Sequence, residues 1–369
     1  MSLPRVLSYP PVHDAVNRLH GHACRLVHRD QPSPVHPALW DPDWLRMHRG
    51  DWDVAHLQLG FEHHTIDELA AVLDAHQEAG TPLVWTAHDL RNPATRIASR
   101  DAAVMRLLAE RVDRVITLTP GAADELRWRT GRIAEVVPHG PLVLDLDPAA
   151  LGTGGEDDAE PAPPAPAARP EATPGSLRAL LLARDIRPNT DWRTPLRVFE
   201  DLAREGADVE LEVWVHEDAP LASVLTHRSG PGVVVRAGSR LPLPALCSRI
   251  RAADVLLLPY VWGTHSGLLE LATDLGTPSV VGDVGHITEQ GPCLPVRVVD
   301  QRLDGSSLRT VLLALLDGHR PELPDPVERA AVLGTVREAH RRIYAELADL
   351  DEDVATATTS SAGLATAGS

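Results

Sequence analysis

The residues best placed for chemistry are a serine, a glutamate and two glycines at the start of one predicted helix. Gly263 and Gly267 lie in a loop, Ser266 stands at the N-cap position, and Glu270 follows one turn later. Serine is a preferred N-cap because its hydroxyl accepts a hydrogen bond from a backbone N–H of the first turn. The other N–H groups of that turn and the positive end of the helix dipole favour an anion. The pattern predicts a phosphate site, with the Glu270 carboxylate facing whatever the phosphate carries.

Two predicted strands flank this helix. Residues 255–258 form an apolar run that is too short for a helix and apolar enough for a strand buried on both faces, and Pro259 ends it. The helix extends to Leu275, with Gly276 as its stop and Pro278 beyond. A second apolar run, residues 279–281, returns to the sheet. The order strand, glycine loop, helix, strand places the helix N-terminus at the carboxyl end of a parallel strand.

The composition excludes several classes of protein. The chain of 369 residues contains no lysine, so chemistry that needs an amine is excluded: that of P-loop NTPases, Schiff-base enzymes and pyridoxal-phosphate enzymes. A net charge of −17 argues against a nucleic-acid partner. The 18 histidines show no HExxH or similar pair, and the three cysteines have no metal-ligand spacing, so no metal is predicted.

The length and the pattern of the chain predict two domains. No apolar run approaches the length of a bilayer span, no signal peptide is visible, and the three isolated cysteines fit a reducing cytoplasm. We expect an N-terminal domain over residues 1–150, a Pro/Ala-rich linker over 151–175 and a C-terminal domain over 176–325. A long helix over 326–350 and a disordered small-residue tail over 351–369 complete the prediction.

The segment from residue 251 to 282 resembles the donor-binding segment of the retaining GT-B glycosyltransferases, in particular family 4. That family has the form E-G-x-x-x-x-x-L-E followed by a-x-G-x-P-v-v. The matching residues here are Gly263, Leu269, Glu270, Gly276, Pro278 and Val280. The resemblance implies that Glu270 holds the ribose of a nucleotide. The family's first glutamate, which lies near the donor sugar, falls on Trp262, so this chain departs from the family there.

Two further segments carry the same resemblance. The strand predicted over residues 82–87 ends at His88 and Asp89, similar to the t-x-H-D motif whose histidine reaches the donor sugar or its phosphate. His88 could instead close the strand and hydrogen-bond a backbone carbonyl. Arg91 and Asn92 follow at the same edge and could touch an acceptor.

The strand predicted over residues 177–183 is followed by residues similar to the family's G-R-l-x-x-x-K-G segment. The arginine and lysine of that segment neutralise the donor diphosphate. Arg184 and Arg187 are both candidates for the arginine, and the lysine position falls on Asn189 or Thr190. Both arginines could also be ordinary surface residues, but the planar fork of arginine suits a diphosphate.

The resemblance implies an α/β protein with two Rossmann-like domains facing across a cleft, the GT-B fold. It further implies a retaining, hexosyltransferase-like enzyme that moves a sugar from a nucleotide-sugar donor to an acceptor hydroxyl. The implied enzyme needs no metal and no cofactor besides this substrate. The implied catalytic residues are His88, Arg184 and Arg187. The implied donor-binding residues are Gly263, Thr264, His265, Ser266, Gly267, Leu268 and Glu270.

The acceptor stays open in this interpretation, as does a peripheral contact with a membrane. Two alternatives also remain. The chain could be another GT-B enzyme, such as a sugar-nucleotide epimerase. It could also be a catalytically silent GT-B-like partner protein that binds a nucleotide without turnover, since Trp262 and the missing lysine are both departures from the family.

Overall fold

A computed structural model describes residues 3–10, 23–28, 37–143, 175–183, 187–219 and 222–362. The predicted linker, apart from its last residue, lies outside these ranges, and so does the predicted site residue Arg184. The last part of the predicted tail, residues 363–369, also lies outside them.

The described chain divides into two compact units, each with its own six-stranded sheet. The first unit comprises the chain up to Leu90, Ser99–Gly140 and the chain from Ala331 onwards. The second comprises Arg91–Ala98 and Pro141–Ala330. The second unit thus begins before residue 150, the predicted end of the first domain. The reason is local: the backbone N–H groups of Leu142 and Val143 donate to the Asp274 carboxylate at 2.6 and 3.1 Å.

The first sheet is entirely parallel, in the order β2-β1-β3-β4-β5-β6. Its strands are β1 (Arg5–Tyr9), β2 (Arg25–Leu26), β3 (Val54–Leu57), β4 (Leu83–Thr86), β5 (Arg114–Thr117) and β6 (Glu135–Val136). The helices along this part of the chain are α1 (Pro42–Met47), α2 (Ile66–Glu78), α3 (Ala98–Arg111) and α4 (Pro120–Thr130). Both β3 and β4 are buried along their whole length, as expected for parallel strands covered on both faces.

The helices of the first unit begin at clear sequence signals. Thr65 and Glu68 form a reciprocal capping box at the start of α2. Thr119 caps α4 and Pro120 takes its first position, while Gly131 ends it in the left-handed conformation with φ +74°. Helix α1 was not predicted, because six residues are too few to show helical periodicity.

The second sheet is also parallel, in the order β12-β11-β10-β7-β8-β9. Its strands are β7 (Ser176–Ala183), β8 (Asp208–His216), β9 (Val233–Gly238), β10 (Val255–Leu258), β11 (Ser279–Gly282) and β12 (Leu294–Val296). A separate two-stranded antiparallel ribbon pairs β13 (Val298–Val299) with β14 (Arg302–Leu303). In this sheet the chain first adds strands on one side of β7 and then, from β10 onwards, on the other. The order is that of the doubly wound dinucleotide-binding sheets, whose ligands bind where the direction reverses.

The helices of the second half of the chain are α5 (Arg193–Arg204), α6 (Ala222–Thr226), α7 (Leu243–Ala252), α8 (Gly267–Asp274), α9 (Gly305–Leu316) and α10 (Pro326–Ala362). Helices α5 to α9 cover the sheet on two faces, where two separate apolar clusters form around residues such as Phe199 and Ile250. Adjacent residues of β10 belong to opposite clusters, because side chains alternate along a strand.

Helix α10 is longer than predicted. The sequence predicts that it ends at Leu350 and that a disordered tail begins at 351, whereas the helix continues to Ala362. Residues 351–362 contain neither glycine nor proline, and Gly363 is the first helix-breaking residue after Leu350. The helix starts in the second unit and continues in the first from Ala331.

Candidate functional site

The reversal point of the second sheet lies between β7 and β10, which are direct neighbours. The segments that follow these two strands are joined by backbone hydrogen bonds. The N–H of Asp191 donates to the Pro259 carbonyl and the N–H of Val261 to the Asn189 carbonyl, both at 2.8 Å. The Asn189 side-chain amide also donates to the carbonyl of Trp262 at 2.9 Å. The two segments therefore form one loop surface at the carboxyl ends of the strands, which is where the sequence predicted a ligand site.

The N-terminus of α8 has the predicted cap. Ser266 adopts an extended conformation and its Oγ accepts a hydrogen bond from the Leu269 N–H at 3.3 Å. The Ser266 N–H donates to Oε1 of Gln290 at 2.6 Å. Gly267 is exposed and Leu268 half-buried, so the first turn of the helix reaches solvent. These backbone N–H groups, at the positive end of the helix, can bind a phosphate.

The loop before α8 packs closely against the end of β11 and the residues after it, because two glycines there leave room for its backbone. A Cβ at Gly282 would overlap the carbonyl oxygen of Tyr260, and a Cβ at Gly285 would overlap that of Gly263. Gly285 also has φ +55°, in the left-handed region. The His286 N–H then donates to the Thr264 carbonyl at 3.2 Å. The conformation of the predicted phosphate loop is therefore set by direct backbone contact.

Glu270 is buried, with 4% of its surface exposed, and both of its oxygens have partners. Oε2 accepts from Nη2 of Arg329 at 2.6 Å, and Oε1 accepts from the Gln290 side-chain amide at 3.2 Å. Nε of Arg329 donates in turn to Oδ1 of Asp274, one helical turn after Glu270, at 2.7 Å. Burial acts to lower the pKa of the Arg329 guanidinium, but the two carboxylates outweigh it and the pKa is raised.

The triad of Glu270, Asp274 and Arg329 fixes α8 to the start of α10, and Asp274 also fixes it to the chain at residues 142–143. Nothing in the sequence around Glu270 indicates Arg329 or Gln290, because both reach it through tertiary packing. Sequence reasoning therefore missed both of these residues.

Trp262, at the position of the family's first glutamate, is buried, and the guanidinium groups of two arginines lie over its indole ring. Its indole N–H donates to the carbonyl of Asn92 at 3.2 Å. The guanidinium of Arg91 lies 4.4 Å from the centre of the indole ring system, and that of Arg96 lies 5.2 Å away. Guanidinium groups over an indole face are attracted by its negative quadrupole. The segment Arg91–Ala98 is in this way anchored within the second unit.

The remaining predicted residues divide between the two units. Arg187 is exposed and lies on the loop that is bonded to Pro259 and Val261, so the structure brings it to the same surface as Gly263–Glu270. In the loop before α8, Thr264 is buried and His265 is half-buried. His88 belongs to the first unit, where its N–H donates to the Thr86 carbonyl at 3.0 Å. Its ring is half-buried and lies 6.0 Å from the ring of His139.

Within the described ranges of the chain, no group of three or more His, Cys, Asp or Glu side chains is arranged to hold a metal ion. Among the same residues, no helix combines the length and the apolar character that crossing a bilayer requires.

Comparisons with known proteins identify the fold. No protein-family model and no curated protein matches this chain. Among solved structures, HepE of Anabaena in complex with UDP-glucose is 12% identical with a TM-score of 0.51, covering 86% of this chain and 81% of its own. The α,α-trehalose 6-phosphate synthase of Burkholderia multivorans is 11% identical with a TM-score of 0.53, covering 95% and 85%. The sucrose-phosphate synthase of Thermosynechococcus elongatus is 16% identical with a TM-score of 0.50, covering 92% and 82%. With its two parallel six-stranded sheets, the chain therefore has the predicted α/β fold of two Rossmann-like domains, the GT-B class.

Proposed function

We propose that this protein is a glycosyltransferase of the retaining type, similar to family 4, that moves a sugar from a nucleotide-sugar donor to an acceptor hydroxyl. One observation carries the proposal: the capped N-terminus of α8 opens at the reversal point of the second sheet, beside Arg187 and Glu270. The structure of HepE, which shares the fold, contains UDP-glucose.

The diphosphate of the donor would bind to the first turn of α8. The backbone N–H groups between Thr264 and Leu268 supply donors, apart from that of Ser266, which donates to Gln290. A chain without lysine must add positive charge through arginine. Arg187 lies on the adjoining loop, and Arg184 precedes it in the sequence. When the bond to the sugar breaks, negative charge develops on the departing diphosphate, and fixed donors at that point lower the barrier. We propose that no metal takes part.

Glu270 would bind the ribose hydroxyls. A carboxylate offers about four lone-pair sites, so the bonds from Arg329 and Gln290 leave capacity for a ribose O–H. The same two bonds hold the carboxylate in one orientation, which reduces the entropy lost on binding. The resemblance also assigns His88 to the donor sugar or its phosphate, and this assignment stays a prediction.

A second candidate is a nucleotide-binding protein of the same fold without turnover. The observation that favours it is the indole of Trp262, which stands where the family has a carboxylate near the donor sugar. An apolar ring in that place cannot accept the hydrogen bonds that a glutamate accepts.

One set of measurements tests the proposal and separates the two candidates. Calorimetric titration with UDP and with GDP measures nucleotide binding, and incubation with UDP- and GDP-sugars measures release of the nucleoside diphosphate. We expect one nucleotide to bind and Arg187→Ala to weaken it about tenfold or more, because a charge-assisted hydrogen bond contributes about 1.5–3 kcal/mol. Arg184→Ala is measured alongside.

The matched control is Arg251→Ala, which removes an exposed arginine next to the end of α7 and should change nothing. If neither nucleotide binds, or if the Arg184→Ala and Arg187→Ala variants both bind like the wild type, the proposed diphosphate site is wrong. Binding without release from any nucleotide sugar would favour the silent alternative.

A further inference from the structure

The stacked arginines at Trp262 differ in how they are engaged. Arg96 donates to Oε1 of Gln301 at 3.2 Å and to the carbonyl of Pro188 at 3.4 Å, so its guanidinium serves to hold the segment in place. Arg91 has a different environment. Within the ranges of the chain that the structure describes, no hydrogen bond or ion pair engages its guanidinium, which lies over the indole ring.

The position of the Arg91 guanidinium is nevertheless well defined. The residue is half-buried, and the next residue is tied down because the indole N–H of Trp262 donates to the Asn92 carbonyl. Stacking on an indole orients the guanidinium plane without using its five N–H donors. A half-buried cation with unused donors is a site for an anion, because partial burial weakens screening by water.

The chain topology puts this charge beside the donor loop. Trp262 immediately precedes Gly263, the first residue of the proposed donor-binding segment. Its carbonyl is bonded to Asn189, which lies on the loop of Arg187. The Arg91 guanidinium thus contacts the residue just before the donor loop, and Arg91 is far in sequence from the N–H groups assigned to the diphosphate.

We propose that Arg91, held on Trp262, forms a second anion subsite that binds a carboxylate or phosphate group of a sugar substrate. Where a glutamate of family 4 would repel such a group, this chain presents an indole with a guanidinium over it. The inference rests on the proposed function only in taking the bound sugar to be a substrate. The subsite itself is inferred from the contact between Arg91 and Trp262. Phosphate and carboxylate share the recognising chemistry, two oxygens facing a planar fork.

The experiment compares charged and neutral sugars by calorimetric titration of the full chain. Glucose 6-phosphate and glucuronate are compared with glucose as free sugars in the presence of saturating UDP, and UDP-glucuronate is compared with UDP-glucose as donors in the absence of UDP. The first set detects a charged acceptor, and the second set detects a charged donor. Phosphate and carboxylate sources are separated within the first set.

We expect a charged sugar in one of these sets to bind at least about tenfold more tightly than its neutral counterpart. Arg91→Gln should remove that preference, and Arg91→Lys should restore part of it, because an ammonium keeps the charge but lacks the fork. Arg251→Gln, an exposed arginine of the same unit, should leave the preference intact. Thermal unfolding of each variant checks that the fold is retained.

The inference is overturned if charged and neutral sugars bind alike, if none of them binds, or if the preference survives Arg91→Gln. Failure of the proposed function looks different. In that case UDP does not bind, and an Arg91-dependent preference for glucose 6-phosphate or glucuronate would persist in titrations without it.

Discussion

Glu270 combines two tasks, since it is the residue assigned to the ribose and also part of a buried ion triad. Its side chain and that of Asp274 are 6% and 0% exposed, and the side chain of Arg329, which contacts both, is 10% exposed. Two carboxylates and one guanidinium taken out of water are stable only while all three remain together. We infer that the geometry around the proposed ribose site depends on a residue in α10, far along the sequence.

Removing Arg329 tests this dependence. Arg329→Met should lower the free energy of unfolding by about 3–5 kcal/mol, because it leaves two buried carboxylates without their cation. The control is Arg341→Met on the same helix, which breaks an exposed ion pair with Glu338 and should change the free energy of unfolding far less, because water screens that pair. Urea denaturation followed by tryptophan fluorescence measures both. Equal effects of the two substitutions would show that the triad is not a stabilising unit.

At the level of single residues, local signals were predictable and long-range partners were not. The Ser266 cap and the Gly276 stop follow from neighbouring residues, and the structure has both. Gln290 and Arg329 lie 20 and 59 residues from Glu270, so no spacing rule points to them. The contact of Arg91 with Trp262 was missed for the same reason, although both residues had been noted singly.

At the level of elements, the proposed site depends on close packing between the loop before α8 and the segment after β11. Gly282 and Gly285 are required there because any side chain at either position would meet a backbone carbonyl of the loop. The loop is therefore held in place by close backbone contact. We expect its conformation to be sensitive to the addition of one methyl group.

Substitution of alanine at Gly285 and at Gly276 separates two effects: the strain of a positive φ and the overlap of a Cβ with the neighbouring loop. Both residues have positive φ, +55° and +68°, so alanine at either costs about 1–2 kcal/mol in backbone strain. Only Gly285→Ala also produces an overlap, since no atom lies within 4 Å of the position at Gly276. Gly285→Ala should therefore destabilise by at least about 2 kcal/mol more, and weaken nucleotide binding as well. Urea denaturation and calorimetric titration measure this. Similar values for both variants would mean that the segment relaxes around the methyl group.

The order of the elements was predictable to the extent that it depends on the pattern of apolar residues. The buried runs at residues 177–183 and 255–258 and the helix between residues 266 and 276 appear where the sequence placed them. The pairing order of the strands was not predictable from periodicity, because pairing is decided by packing between segments that are far apart in the chain. That order, with its reversal between β7 and β10, is what makes the loops after these strands a candidate site.

At the level of the whole molecule, the two units differ in their buried histidines. Among the residues that the structure describes, His56, His76 and His340 are buried, and all three belong to the first unit. His56 is bonded to Tyr344 of α10 at 2.6 Å and to Thr86 at 2.7 Å, and His76 is bonded to the Tyr9 hydroxyl at 2.8 Å. Burial lowers the pKa of His340, against an opposing hydrogen bond to the Val336 carbonyl. Acid should therefore act on this unit through histidines that must be neutral when it is folded.

For His76, the direction in which pH changes the free energy of unfolding follows from its pKa. Burial lowers the pKa of His76 from 6.5 to about 3. Because the folded pKa lies below the unfolded value, the stabilisation is fully present above pH 6.5 and is lost as the pH falls toward 3. Between pH 7.5 and pH 5 the loss from this one group is about 2 kcal/mol, and His340 adds a loss of the same sign.

Urea denaturation at pH 7.5 and at pH 5 measures the total loss in the free energy of unfolding from all titrating groups. His76→Gln should reduce the difference between the two pH values by about 2 kcal/mol, since glutamine does not titrate and can still bond to Tyr9. The exposed His227 is the control, and His227→Gln should leave the difference unchanged. An undiminished pH dependence in His76→Gln would show that this histidine is protonated within the fold or that other groups set the response to acid.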